Sequence, residues 1–170
     1  ARPSLPPHKV VGITGTNGKT TISQWLGRSH PRSCAVIGTL GAGFVGDLDA
    51  TGLTTPEATN LARYLTDFAN AGAQACAVEA SSIGIEEGRL DGTRVDVAVF
   101  TNLTRDHLDY HGSMESYAEA KKRLFAWPHL RLAVVNLDDP FGVELAKTTT
   151  ATKVLGYTQG DGFADRQGVV

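Results

Sequence analysis

The stretch from Val10 to Thr21, VVGITGTNGKTT, decides the fold. Val10 to Thr14 is an apolar run of buried-strand length, Gly15 to Gly18 is a glycine-bounded turn, and a helix follows. In that helix Ile22, Trp25 and Leu26 are expected to share one buried side. Strand, glycine turn and helix in this order aim backbone N–H groups and a positive helix end at one point, which suits a phosphate. Lys19 carries the charge for the terminal phosphates of a nucleotide, and the Thr20 hydroxyl is placed to reach a magnesium ion. The strict phosphate-loop pattern asks for a glycine where Ile13 stands; Gly12 is one place too early, so the pattern here is a shorter G-x-x-G-K-T. A glycine turn that merely caps a helix is the plain alternative. The strand–loop–helix setting favours ATP.

Working outward, the alternation of strands and helices continues. Cys34 to Leu40 reads as a buried strand, and Gly41 to Gly52 as an excursion or hairpin. Thr55-Pro56-Glu57 has the form of a helix start, with Leu61, Tyr64, Leu65 and Phe68 on its apolar side and Gly72 at its end. Ala75 to Glu79 and Val95 to Thr101 read as strands. A helix from Ser113 to about Phe125, a strand from Leu132 to Asn136, a helix from Pro140 and a strand from Val154 to Tyr157 complete the series. Continuous apolar strands between helices predict an α/β fold: a mostly parallel sheet with helices on both faces, of the P-loop NTPase kind. Ligands of such sheets sit beyond the carboxyl ends of the strands.

The 170 residues allow one domain with a real core and are too few for two ordinary ones. A net charge of −2 gives no reason to expect nucleic acid or a membrane surface as partner, and no apolar run is long enough for a bilayer span. Cys34 and Cys76 lie inside apolar runs and read as buried thiols of neighbouring strands, consistent with a cytoplasmic protein. Residues 1–9, with Pro3, Pro6 and Pro7, read as a linker from something upstream. Residues 10–170 read as one domain that ends before its natural C-terminal boundary.

Three further features carry chemistry. Glu79 ends an apolar strand, where a carboxylate could hold magnesium or could be an ordinary polar strand end. The segment LTRDHLDYHGS crowds two histidines, two aspartates, an arginine and a tyrosine into one turn before a helix. In that helix Met114, Tyr117, Lys121 and Leu124 share a stripe, so Lys121 falls on an apolar side while Lys122 is turned by about 100°. Such a lysine either snorkels outward or turns inward with its charge paired or altered.

Together GTNGKTT, TTPEAT, VEASS, FTNLTRDHLDYHG and YAEAKKRLF resemble, in this order, the Mur ligases of cell-wall synthesis, over Val10 to Asp139. The likeness is greatest to the branch that extends UDP-N-acetylmuramoyl-dipeptide with meso-diaminopimelate or L-lysine. It implies the central ATP-binding domain of such a ligase, with ATP and Mg2+ required. It also implies that Gly15, Thr16, Asn17, Gly18, Lys19, Thr20 and Thr21 hold the triphosphate. Thr20 and Glu79 would serve one magnesium, Glu79 and His107 a second, and Lys121 would become a carbamate and act as an oxygen ligand. Lys19, Glu79, His107 and Lys121 would carry catalysis; Thr54, Thr55, Ser81 and Arg89 would contact the muramoyl-peptide.

The chain departs from the pattern of many relatives at Leu53, Ile83 and Glu87, where Asn, His and Gln are often found, all on the substrate side. The resemblance also implies an N-terminal domain for the uridine nucleotide and a C-terminal domain that selects the amino acid, neither visible here. The isolated fragment is therefore expected to be inactive. Another Mur step or a folylpolyglutamate-type ligase shares the loop and the lysine, and a nucleotide-binding module without catalysis is the alternative from a different class. The stretch TRDHLDYHGSMESYAEAK favours the dipeptide-extending enzyme.

Overall fold

The computed structural model describes residues 9–29 and 34–160. The expected linker, apart from Lys9, and the segment after 160 lie outside the described residues. The first half runs β1 (Lys9–Thr14), α1 (Lys19–Ser29), β2 (Cys34–Gly38), β3 (Gly41–Phe44), β4 (Asp47–Asp49), α2 (Ala58–Asn70) and β5 (Ala75–Glu79). The second runs α3 (Ser82–Glu86), β6 (Val97–Phe100), α4 (Leu108–His111), α5 (Met114–Phe125), β7 (Leu132–Asn136), α6 (Pro140–Thr148) and β8 (Lys153–Tyr157). One sheet holds all the strands in the order β4-β3-β2-β5-β1-β6-β7-β8. The six strands from β2 to β8 in that order are parallel; β3 and β4 form the antiparallel hairpin read in the Gly41–Gly52 excursion.

Both faces of the central strands are apolar, which is why they read as continuous runs. Val10, Cys76, Val78, Ala98, Phe100, Ala133 and Val135 point to one face and meet Leu61 and Leu65 of α2, Ile85 of α3, Leu124 and Phe125 of α5 and Leu145 of α6. Their alternates Ile13, Val36, Ala75, Ala77 and Val99 point to the other face, where α1 contributes Ile22 and Leu26. The period of two sorts each strand between the two cores. Cys34 and Cys76 are free, buried and in adjacent strands.

Several local expectations are corrected. Trp25 is 64% exposed, and Ser23 is the buried residue of α1. The helix lies so close to the sheet that a Cβ on Gly27 would come within 2.5 Å of Val45 Cγ2, so small residues face inward and the indole faces out. Leu40 lies past the end of β2 and is exposed. Thr55 does not cap a helix: α2 starts at Ala58 behind Glu57, and Thr55 is fully buried beneath the site. The short helices α3 and α4 had no periodic signal to announce them. Ser113 and Asp139, by contrast, cap α5 and α6 through their side chains, and Pro140 opens α6.

Candidate active site

A cavity of about 430 Å3 lies beyond the carboxyl ends of β1, β2 and β5, where a parallel sheet presents its ligands. Gly15 and Gly18 have φ of 143° and 88°, and a Cβ on Gly15 would sit 1.8 Å from Thr101 Oγ1, so glycine is required there. The end of β6 shapes the loop from outside. Thr16 N donates to Asn102 O, Asn17 N to Asn102 Oδ1 at 3.0 Å, and Thr101 Oγ1 to Asn17 O at 2.6 Å. The first helical bond of α1 runs from Ile22 N to Gly18 O, so the amides of Lys19, Thr20 and Thr21 precede it and can face an anion. Lys19 Nζ donates to Gly15 O at 2.7 Å and Thr16 O at 2.9 Å, which leaves one of its three hydrogens for a ligand. Burial lowers its pKa; Glu79 and then Asp106 oppose that shift.

Glu79 is 1% exposed and is surrounded by donors rather than by a cation. Thr20 Oγ1 and Thr39 Oγ1 donate to Oε2 at 2.9 and 3.1 Å, while Thr39 N and Ser23 Oγ approach Oε1 at 3.3 and 3.4 Å. The Thr20–Glu79 oxygen separation fits a magnesium ion: ligands at 2.0–2.1 Å in an octahedron stand about 2.9 Å apart along an edge. Among the described residues no group of three His, Cys, Asp or Glu side chains could hold a metal alone.

His107 lines the same cavity, with a left-handed φ of 50° at the start of α4; its backbone N–H donates to Asp106 Oδ1. Lys121 does not line the cavity. It is 1% exposed, one layer behind, with Nζ 4.2 Å from the ring centre of Tyr117, whose hydroxyl meets Thr16 Oγ1 at 3.1 Å. Desolvation first, and Lys19 second, hold its pKa down at about 7, against the pull of Asp106. Lys122 points away and bonds Glu144 at 2.7 Å.

Thr54, Thr55, Ser81 and Arg89 also line the cavity. The Thr55 hydroxyl is already committed, donating to Glu79 O at 2.7 Å and meeting Ser81 Oγ at 2.9 Å. Of the expected site residues, all but Gly15 and Lys121 therefore border one space.

Sequence reasoning assigned nothing to His111. Its ring is fully buried, with Nε2 hydrogen-bonded to Ser82 Oγ at 2.9 Å; Nδ1 lies 2.8 Å from Glu86 Oε2 but is not aligned for a hydrogen bond. Serine, histidine and glutamate in this order resemble a nucleophilic triad, yet Ser82 is buried and none of the three lines the cavity. The Ser82 bond and the close Glu86 contact fasten α4, and with it His107, to α3. His111→Ala is expected to cost about 2–3 kcal/mol by leaving Ser82 unpaired and opening a void. Urea unfolding checks this, and an unmoved midpoint would count against the fastener.

Comparison with known proteins agrees with this geometry. Residues 13–168 match the Mur ligase middle domain. The UDP-N-acetylmuramoyl-L-alanyl-D-glutamate–2,6-diaminopimelate ligase of Ralstonia nicotianae is 59% identical over 140 residues, 81% of this chain and 27% of that protein. The enzyme of the same name from Ectopseudomonas mendocina is 49% identical over 165 residues, 95% of this chain and 34% of that protein. The chain thus spans about a third of the length of these relatives. A solved structure of a ligase of that name overlays with a TM-score of 0.78 at 41% identity, over 91% of this chain and 32% of the other. E. coli FolC, solved with DHPP and ADP, overlays with a TM-score of 0.64 at 20% identity over 89% of this chain and 43% of that one, a likeness of fold. With a glycine loop and a buried carboxylate gathered at the strand ends, a buried lysine in α5 behind them, and the family pattern spanning residues 13–168, the chain belongs to the Mur ligase family as its middle domain.

Proposed function

We propose that this domain supplies the phosphoryl-transfer centre of a ligase that joins UDP-N-acetylmuramoyl-L-Ala-D-Glu to an amino acid in the cytoplasm. The observation that carries the proposal is that one cavity is lined both by the phosphate loop and by Thr54, Ser81 and Arg89. ATP lies along Gly15–Thr21. Thr20 and Glu79 would hold one magnesium ion and Glu79 and His107 a second, which would supply charge neutralisation to the phosphate oxygens. The D-glutamate carboxylate attacks the γ-phosphorus and ADP leaves. The amine then attacks the acyl carbon of the resulting acyl phosphate, phosphate leaves, and an amide forms with loss of one proton.

The domain's task in both steps is to hold reactants in line and to offset charge. Lys19 neutralises the terminal phosphates with its remaining hydrogen. Lys121, neutral in a large fraction of molecules near pH 7, is suited to add carbon dioxide and lose a proton, becoming a carbamate whose oxygens replace a cation by an anion. The names of these relatives favour diaminopimelate over L-lysine as the amine.

The test uses a full-length enzyme carrying this segment, with ATP, magnesium, UDP-muramoyl-dipeptide and either diaminopimelate or lysine. ADP release coupled to a tripeptide mass is expected with diaminopimelate. Turnover of a folate with L-glutamate instead would replace this reading by the folylpolyglutamate one. The 170-residue chain alone is expected to bind ATP weakly and form no tripeptide, because positioning of acyl phosphate and amine, worth roughly 7–11 kcal/mol, needs the rest of the enzyme.

A further inference from the structure

Arg89, like Lys19, is a cation lining the cavity, and its side chain is 13% exposed. Two carboxylates face it. Glu87 Oε2 accepts from both Nε, at 2.8 Å, and Nη2, while Glu57 Oε1 lies 3.6 Å from Nε. Nη1 donates to Thr55 O at 3.0 Å. A guanidinium has five hydrogens; these contacts use one on each nitrogen, so one remains on each terminal nitrogen. The fork is therefore held rigid and still open to an anion. The cluster nevertheless carries a formal charge of about −1, two carboxylates against one guanidinium. The second oxygen of Glu87 accepts from Tyr110 in α4, at 3.3 Å, which anchors the carboxylate on the guanidinium.

We infer that Glu87 sets the affinity of the cavity for its anionic substrate by orienting Arg89 while cancelling much of that residue's charge. The inference rests on the ligase reading, in which a carboxylate or other anionic group of the muramoyl-peptide comes to Arg89. Orientation and charge are separable. Glu87→Gln keeps a carbonyl oxygen for Nε and Nη2 but removes the negative charge. Glu87→Ala removes both. A substrate anion approaching Arg89 in the Gln variant meets the same fork with less repulsion. Glu57 is 61% exposed, more exposed than Glu87 at 39%, so solvent screens it more and its removal matters less.

The experiment measures KM for UDP-muramoyl-dipeptide in full-length wild-type, Glu87→Gln, Glu87→Ala and Glu57→Gln enzymes, at low and high salt, with KM for ATP alongside. Glu87→Gln is expected to lower KM for the nucleotide-peptide about threefold to fivefold at low salt. The gain should shrink as salt rises, exceed any change in kcat, and exceed the change in KM for ATP. Glu87→Ala should raise the same KM, because the fork loses its anchor. A merely structural Glu87 would not yield tighter binding in one variant and weaker binding in the other. An active wild type whose KM is unmoved or raised in Glu87→Gln would overturn the inference and leave the ligase reading intact. A wild type with no turnover of the nucleotide-peptide would overturn that reading, and the inference with it.

Discussion

Lys121→Ala, in the full-length ligase, is expected to lower the rate of tripeptide formation by about 10²–10³-fold, the scale on which a preorganised charge at a reacting centre acts. Lys122→Ala should stay close to wild type. The two neighbours differ because α5 turns Lys121 onto Tyr117 in the buried layer and turns Lys122 out to Glu144. A short carboxylic acid added to Lys121→Ala should restore part of the rate by filling the place of the carbamate oxygens. A crippled Lys122→Ala beside an active Lys121→Ala would reverse the assignment. A second readout needs no substrate. Desolvation lowers the Lys121 pKa to about 7, so between there and its usual value of 10.5 the folded chain binds fewer protons than the unfolded one. The Lys121 contribution to stability therefore rises with pH across that window, and its full penalty applies below it. Lys121→Met should flatten the rise, stabilising the domain more at pH 6 than at pH 9. Urea midpoints at the two values measure the difference.

Lys19→Ala is expected to weaken ATP binding about 10- to 100-fold, as loss of a charged donor to phosphate implies. The structure adds a cost that the loop sequence does not reveal. Lys19 Nζ ties down the carbonyls of Gly15 and Thr16, so the variant also loosens the loop. A drop of a few degrees in Tm should accompany the loss, from about 1–2 kcal/mol of stability. Calorimetry with ATP and magnesium, beside a thermal melt, separates the effects. Unchanged affinity would remove Lys19 from the phosphate site.

Long-range placement is what local sequence signals represent least well. The strands were legible because parallel strands covered on both faces are apolar without interruption, and α5 because Ser113 and the Tyr117–Lys121–Leu124 stripe agree. Trp25 misled because Ile22 and Leu26 fit two stripes equally: one passes through Trp25, the other through Ser23 and Gly27. Close packing against Val36 and Val45 chose the small residues. Thr55 stands before a proline and an acid, the local form of a helix start, but its hydroxyl is taken by Glu79 O and by Ser81, 26 residues away. Glu79 and Lys121 could be marked as candidates by their settings in an apolar strand and stripe. His111 could not be given a partner, since Ser82 lies 29 residues earlier and nothing local relates them.

The place of β1 in the sheet sets the order in which a growing chain can become competent. β1 is made first, yet it lies between β5 and β6, which end at Glu79 and Phe100. The loop after it is bonded to Thr101 and Asn102. During synthesis on the ribosome, residues 15–21 therefore emerge long before their walls do, and must wait for some eighty further residues before the cradle can close. Pairings so distant in the chain are slow to form, because ring closure of the intervening segment comes before any reward. Nascent chains released at successive lengths should thus acquire nucleotide binding in one late step, after residue 102 has cleared the exit tunnel, and not gradually as the glycine loop appears.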